Sequence, residues 1–114
     1  MEDCLFCKII AGEIPAEKIF EDDTVLAFND IDPKAPTHIL IIPKKHYPSI
    51  HKIPEENLDI ISALFKRAGD IAVNLGYNKS GYRLVVNSGE DGGQTVNHLH
   101  IHLLGGRSLQ WPPG

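Results

Sequence analysis

The sequence predicts an α+β fold, a mainly antiparallel sheet of about five strands covered on one face by a single long helix. Three observations lead there. The stretch from Pro54 to Leu75 carries apolar residues at steps of three and four, the spacing of one helical face. Strand-like alternation lies before and after it, broken by turns of hairpin length. No further helix of crossover length accompanies these strands, which excludes a parallel, doubly wound sheet. With 114 residues of even composition, the chain reads as one domain over residues 1–114.

The elements follow in order. Cys4 to Gly12 reads as one or two helical turns, with Leu5 and Ile9 in register and Gly12 and Pro15 as the stop. Lys18 to Glu21 and Thr24 to Asn29 pair as a hairpin around Asp22-Asp23. Asp30 to Pro36 is dense in Asp and Pro and forms a loop, and Thr37 to Pro43 is a β-rich strand. The long helix runs Pro54 to Leu75, with Pro54, Glu55 and Glu56 suited to a first turn and Gly76 to its end. Asn78 to Gly81 is a turn, Tyr82 to Asn87 a strand, Ser88 to Thr95 a glycine-rich loop and His98 to Leu104 the last strand. The tail from Gly105 to Gly114 has no regular pattern.

Composition narrows the function. A chain that is 42% hydrophobic and 23% charged has material for a core and lacks the signature of disorder. Fifteen acids against eleven bases give a net charge of −4, with no basic block longer than a pair such as Lys44-Lys45, which argues against nucleic-acid binding. The longest apolar stretch, Ile39 to Ile42, does not span a bilayer, and the N-terminus has no signal-like pattern. The expected location is cytoplasmic. Cys4 and Cys7 stand three apart with no other cysteine, a spacing that suits a metal half-site or a redox pair better than a stabilising disulfide.

Three of the six histidines fall in His98-Leu99-His100-Ile101-His102. On a strand all three imidazoles face one way, roughly 6.5 to 7 Å apart, while Leu99, Ile101 and Leu103 face the core. Alternation alone gives a solvent-facing polar stripe; three in register favour a metal site or a set of acid, base and nucleophile groups. The adjoining loop supplies Gly89, Gly92 and Gly93, and Gln94 and Thr95 add side-chain donors. Such a loop suits an anion such as phosphate, though glycines are also ordinary turn residues.

The run Gln94 to Leu104 resembles the His-φ-His-φ-His-φ-φ motif of the histidine triad family, φ being apolar. The likeness extends through Phe20 to Asp23, Ala27 to Ile31, Ala35 to His38, Ile42 to His46, Gly105-Gly106-Arg107 and Trp111 to Gly114, and points to the Hint branch. That resemblance implies hydrolysis of purine nucleoside 5′-phosphoramidates through a covalent nucleotidyl-histidine. His100 would be the nucleophile, His102 would bind phosphate oxygens and assist proton transfer to the amine, and His38 would tune the cluster. Asp30 would bind the ribose hydroxyls, Ile31 and Phe20 would flank the base, and Asn87, Gly93, Gln94 and Thr95 would hold the phosphate. On the residues alone, Asp30 and Asn87 equally suit turn or strand-end positions, and Ile31 and Phe20 the core.

The chain departs from the animal Hint pattern in having Asn29 where His is usual and Thr95 where Ser is usual. Cys4-x-x-Cys7 resembles a pair found in bacterial relatives, and that resemblance implies that it joins His46 and His98 around structural zinc, a closed Cys₂His₂ set with no position for substrate. A symmetric homodimer is implied as well, built partly on the long helix and a strand edge, with Gly69 admitting a close backbone and Trp111 reaching toward the partner's site. Hydrolysis of dinucleoside polyphosphates and a non-catalytic nucleotide-binding or scaffolding role are the competing readings.

Overall fold

The computed structural model describes residues 3–114, and within them five strands form one sheet in the order β1-β2-β3-β5-β4, every neighbouring pair antiparallel. The elements are α1 (Leu5–Ile10), β1 (Lys18–Glu21), β2 (Val25–Asn29), β3 (Thr37–Pro43), α2 (Asp59–Asn74), α3 (Tyr77–Ser80), β4 (Tyr82–Val85) and β5 (Ile101–Gly105). The α+β class, the antiparallel sheet, the short first helix and the long second one all match expectation.

The first hairpin is closed by Asp22, whose Oδ1 accepts the backbone N–H groups of Thr24 and Val25 at 2.8 and 2.7 Å. Strand β3 is central and buried on both faces, so its side chains split between two cores. Val25, Ala27, Ile39, Ile41, Ile101 and Leu103 face one way and pack with Leu64, Ala68, Ile71 and Ala72 of α2. Leu26, Phe28, Leu40 and Ile42 face the other and pack with Phe6 and Ile9 of α1. The histidine stripe belongs to this second face, which is thus a covered surface.

Four boundaries depart from expectation. The long helix begins at Asp59, not Pro54: Pro54 is extended, and Glu55–Asn57 form a separate 3₁₀ turn. Its end falls as expected, with Gly76 left-handed at φ 85°. The expected turn before β4 tightens into the one-turn helix α3. Strand β5 begins at Ile101, not His98, because the ladder cannot pass Pro43: this residue has no N–H, and its carbonyl accepts from the His98 ring at 2.8 Å. Strand β4 then ends at Val85, opposite His102, short of the expected Asn87.

Candidate functional site

Sheet register brings the histidines together. His102 lies opposite Leu40 and His38 opposite Leu104, so His38 and His102 are diagonal neighbours on one face, with His38 Nε2 and His102 Nδ1 2.9 Å apart. The His100 and His102 rings are 4.9 Å apart, and Phe6 presses edge-on against His100 at 5.1 Å.

Backbone partners fix which nitrogen of each ring carries its proton. The Lys34 N–H donates to His38 Nδ1 at 3.0 Å, so neutral His38 holds its proton on Nε2 and donates it to His102 Nδ1. Neutral His102 must then carry its own proton on Nε2, a buried atom with no hydrogen-bond partner among the described residues. His100 Nδ1–H donates to the His98 carbonyl at 2.7 Å, which leaves the His100 lone pair on Nε2. A lone pair and an unpaired N–H thus stand on adjacent rings.

Burial, with His100 and His38 nearby, pushes His102 down to about 4, and burial lowers His100 and His38 as well. All three imidazoles are neutral at pH 7. Asp30 Oδ2 lies 3.5 Å from His38 Nε2, so Asp30, His38 and His102 also have metal-ligand proximity. The Lys34 N–H decides against that use, since His38 could offer Nε2 to a cation only by placing a proton on Nδ1, against the amide hydrogen.

Two hollows meet over these rings. One, about 240 Å³, is mainly apolar and is walled by Leu5, Phe6, Ile9, Phe28, Leu40 and Val96, with His100 and His102 also lining it. The other, about 560 Å³, is polar and includes Lys34, His38, Asn87 and Thr95. Asp30, Thr95 and His102 line both. Ile31, 98% exposed, stands at the rim of the apolar half.

Two residues expected at a nucleotide face elsewhere. Phe20 pairs with Ala27, and paired residues share a face, so its ring lies on the α2 side under Arg67, 5.2 Å from the guanidinium carbon. The apolar wall comes instead from α1 and Phe28, which the sequence reading missed. Hairpin register carried the signal, since Phe28 and Ala27 are adjacent and face opposite ways. Gln94 turns inward: its Nε2 donates to the Pro48 and Val96 carbonyls, and its Oε1 accepts the Gly89 N–H. It ties the glycine-rich loop together. The Gly93 N–H is likewise committed, to the Glu90 carbonyl. Asn87 and Thr95 remain in the polar half, and Asn29 bonds Glu17 away from the rings.

The second polar cluster lies on the far side of His98. Cys4 Sγ is 3.3 Å and Cys7 Sγ 3.6 Å from His98 Nδ1, Cys7 Sγ is 3.4 Å from His46 Nδ1, and the two Nδ1 atoms are 3.1 Å apart. The edges of a tetrahedron with zinc bond lengths are about 3.3 to 3.8 Å, so these spacings fit a cation at the centre. The protonation states agree: His98 Nε2–H donates to Pro43, leaving Nδ1 as a lone pair aimed at the cluster. Burial and the neighbouring Cys4 raise the Cys7 thiol to about 11, so a thiolate here needs a cation beside it.

Comparison with known proteins places this geometry. Residues 11–109 match the HIT domain. The chain is 48% identical over 113 residues to an uncharacterised HIT-like protein of Synechocystis, covering 99% of this chain and 98% of that one. It is 46% identical over 114 residues to the 14 kDa zinc-binding protein of Brassica juncea, covering 98% and 100%. The crystal structure of a HIT family hydrolase from Legionella pneumophila superposes with a TM-score of 0.96 at 52% identity, covering 98% of this chain and 100% of that chain.

Proposed function

The chain belongs to the HIT domain family, and from that membership we propose that it hydrolyses purine nucleoside 5′-phosphoramidates, in the manner of the Hint branch, to nucleoside monophosphate and amine. The hydrolase-like fold is shared with the Legionella structure. The observation that carries the finer reading is the pairing of a lone pair at His100 Nε2 with an unpartnered N–H at His102 Nε2.

In the first step His100 Nε2 bonds to phosphorus as the P–N bond breaks. The bonding pair goes to the amine nitrogen, which takes the proton from His102 Nε2. The His38 Nε2–H then shifts toward His102 Nδ1, and the Lys34 N–H supports the electron density left on His38. Water next attacks phosphorus, the P–Nε2 pair returns to His100 and the water's proton restores His102. The division into two displacements is what a neutral imidazole nucleophile provides near pH 7. The apolar half would take the base, Asp30 the ribose hydroxyls, and Thr95 and Asn87 the phosphate.

Cys4, Cys7, His46 and His98 would hold zinc, a reading supported by their spacing and by the zinc-binding relative from Brassica juncea. When bound, it supplies a closed four-ligand centre that fastens α1 to the sheet and leaves no position for water. Thiols kept for metal suit the cytoplasm, where we place the protein. No helix among the described residues is long and apolar enough to cross a membrane.

A homodimer completes the proposal. Leu58, just before α2, and Phe65 and Val73 within it are 51%, 43% and 55% exposed, and among the described residues nothing outside the helix's own backbone lies within 4 Å of a Cβ built on Gly69. Among the described residues strand β4 is an edge of the sheet.

The enzymatic test is amine release from adenosine 5′-phosphoramidate, with intact mass measured early. Wild type is expected to turn over and to gain one adenylyl group transiently, and His100→Ala to do neither. A folded wild-type protein that binds the nucleotide without releasing amine would overturn the reading.

A further inference from the structure

We propose that the turn Gly105-Gly106-Arg107 is a clasp that positions the proton relay, with Arg107 acting through Lys34 as a positioning residue. The kinetic part rests on the phosphoramidase reading; the structural part does not. The proposal stands on how Arg107 spends its donors. No carboxylate pairs with it among the described residues. Its Nε and one terminal nitrogen both donate to the Lys34 carbonyl, at 3.2 and 2.9 Å, and the other terminal nitrogen donates to the Ser108 carbonyl at 3.0 Å. A planar fork closed on one carbonyl holds a peptide's orientation as well as its position.

The carbonyl so held lies in the peptide after Lys34, and the N–H that meets His38 Nδ1 lies in the peptide before it, so the fork acts on that N–H by fixing the Lys34 Cα that joins the two. Lys34 sits in Asp30 to Pro36, a loop of the type that moves readily. If that N–H turns away, His38 is free to carry its proton on either nitrogen. A proton on Nδ1 makes Nε2 a lone pair that can only accept from His102 Nδ1, which transfers the His102 proton from Nε2 to Nδ1. The N–H at the cleft is then gone. A guanidinium on the protein surface thus decides which face of His102 presents a proton.

Each glycine permits a separate close approach. Gly106 is left-handed at φ +94°, and a Cβ there would meet Pro36 Cβ at 2.8 Å; a Cβ on Gly105 would come within 3.0 Å of the Tyr77 ring. A side chain at Gly106 would push the turn off the loop that it fastens, and one at Gly105 would press on the Tyr77 ring.

The test is nitrogen-15 NMR of the imidazoles in wild type, Arg107→Ala and Gly106→Ala, with amine release measured for a basic alkylamine and for a weakly basic nitroaniline leaving group. In wild type, His38 and His102 are expected as Nε2–H tautomers. In both variants an Nδ1–H population appears at His38. Alkylamine release falls about tenfold, while nitroaniline release, which needs little proton assistance, stays within about twofold. Added guanidinium restores the Arg107→Ala variant. An unchanged His38 tautomer in Arg107→Ala, or equal loss with both amines, overturns the proposal. Tautomer mixing in a protein whose wild type releases no amine would uphold the clasp and sink the phosphoramidase reading instead.

Discussion

Replacing Phe6 by Ala tests whether α1 is both a structural clamp and a cleft wall. The ring is 4% exposed and sits edge-on to Phe28, His98 and His100 at centroid distances of 5.5, 5.8 and 5.1 Å. Truncating a buried Phe costs about 3 to 5 kcal/mol, and each aromatic edge contact carries about 0.5 to 1.5 kcal/mol beyond its area. Cys4 and Cys7 flank Phe6 and are tied to His98 and His46, so α1 cannot settle inward to fill the hole. That places Phe6→Ala in the upper half, about 4 to 5 kcal/mol, within the stability of an ordinary domain. Phe6→Leu keeps most of the volume and is expected to lose less than about half as much. The assay is urea unfolding followed by circular dichroism, since Trp111 is 81% exposed and reports poorly on the core. Nucleoside monophosphate affinity, measured on the folded fraction, should weaken about tenfold as the wall opens. A stability loss below about 1 kcal/mol would refute the packing argument. A full stability loss with unchanged affinity would refute the assignment of Phe6 to the cleft.

Three further outcomes are expected. His102, held near 4 in the fold against 6.5 when free, lets the unfolded chain bind more protons between those values. Its contribution is therefore complete above pH 6.5 and is lost on acidification toward pH 4, by up to about 3 kcal/mol; unfolding titrations of wild type and His102→Gln that fall in parallel would contradict this. Removing metal with a strong chelator at neutral pH should lower the melting temperature by about 10 °C or more and release two titratable thiols, and restoring zinc should reverse both; a melting curve indifferent to chelator would exclude a structural metal. Phe65→Asp should convert the dimer to monomer in sedimentation at micromolar concentration, and a wild type that already sediments as a monomer would remove the α2 face as an interface.

What could be read from the sequence followed periodicity, and what could not followed from backbone atoms. Strands β1 and β3 keep their expected bounds, β1 on its alternation and β3 on its run of β-favouring residues. The two-sided burial of β3 was visible as its unbroken apolar run. Phe20 shows the limit: its residue type suited a base, but hairpin register sends it to the α2 side, and register is a property of two strands together. Gln94 shows another. Its amide suited phosphate equally well, yet the backbone groups of Gly89, Val96 and the distant Pro48 hold it instead. The Lys34 N–H leaves no trace in the sequence at all, since every residue but proline has one.

His98 joins the two halves of the site through three separate polar groups. Its Nδ1 faces the cysteine cluster, its Nε2–H is held by the Pro43 carbonyl, and its own carbonyl takes the proton of His100 Nδ1. The third bond makes Nε2 of His100 the lone pair, so the carbonyl that orients the proposed nucleophile belongs to the residue that the cluster holds. With His98 fully buried, rotation of its ring has to carry the main chain with it. Disruption of the cluster should therefore appear first as loss of order at His100, before the sheet gives way. With His100 as the nucleophile proposed above, Cys4→Ser should lower the rate of adenylyl-His100 formation and broaden the His100 ring resonances while circular dichroism stays unchanged. A variant that loses its sheet as soon as it loses rate would instead make the cluster a plain support of the fold.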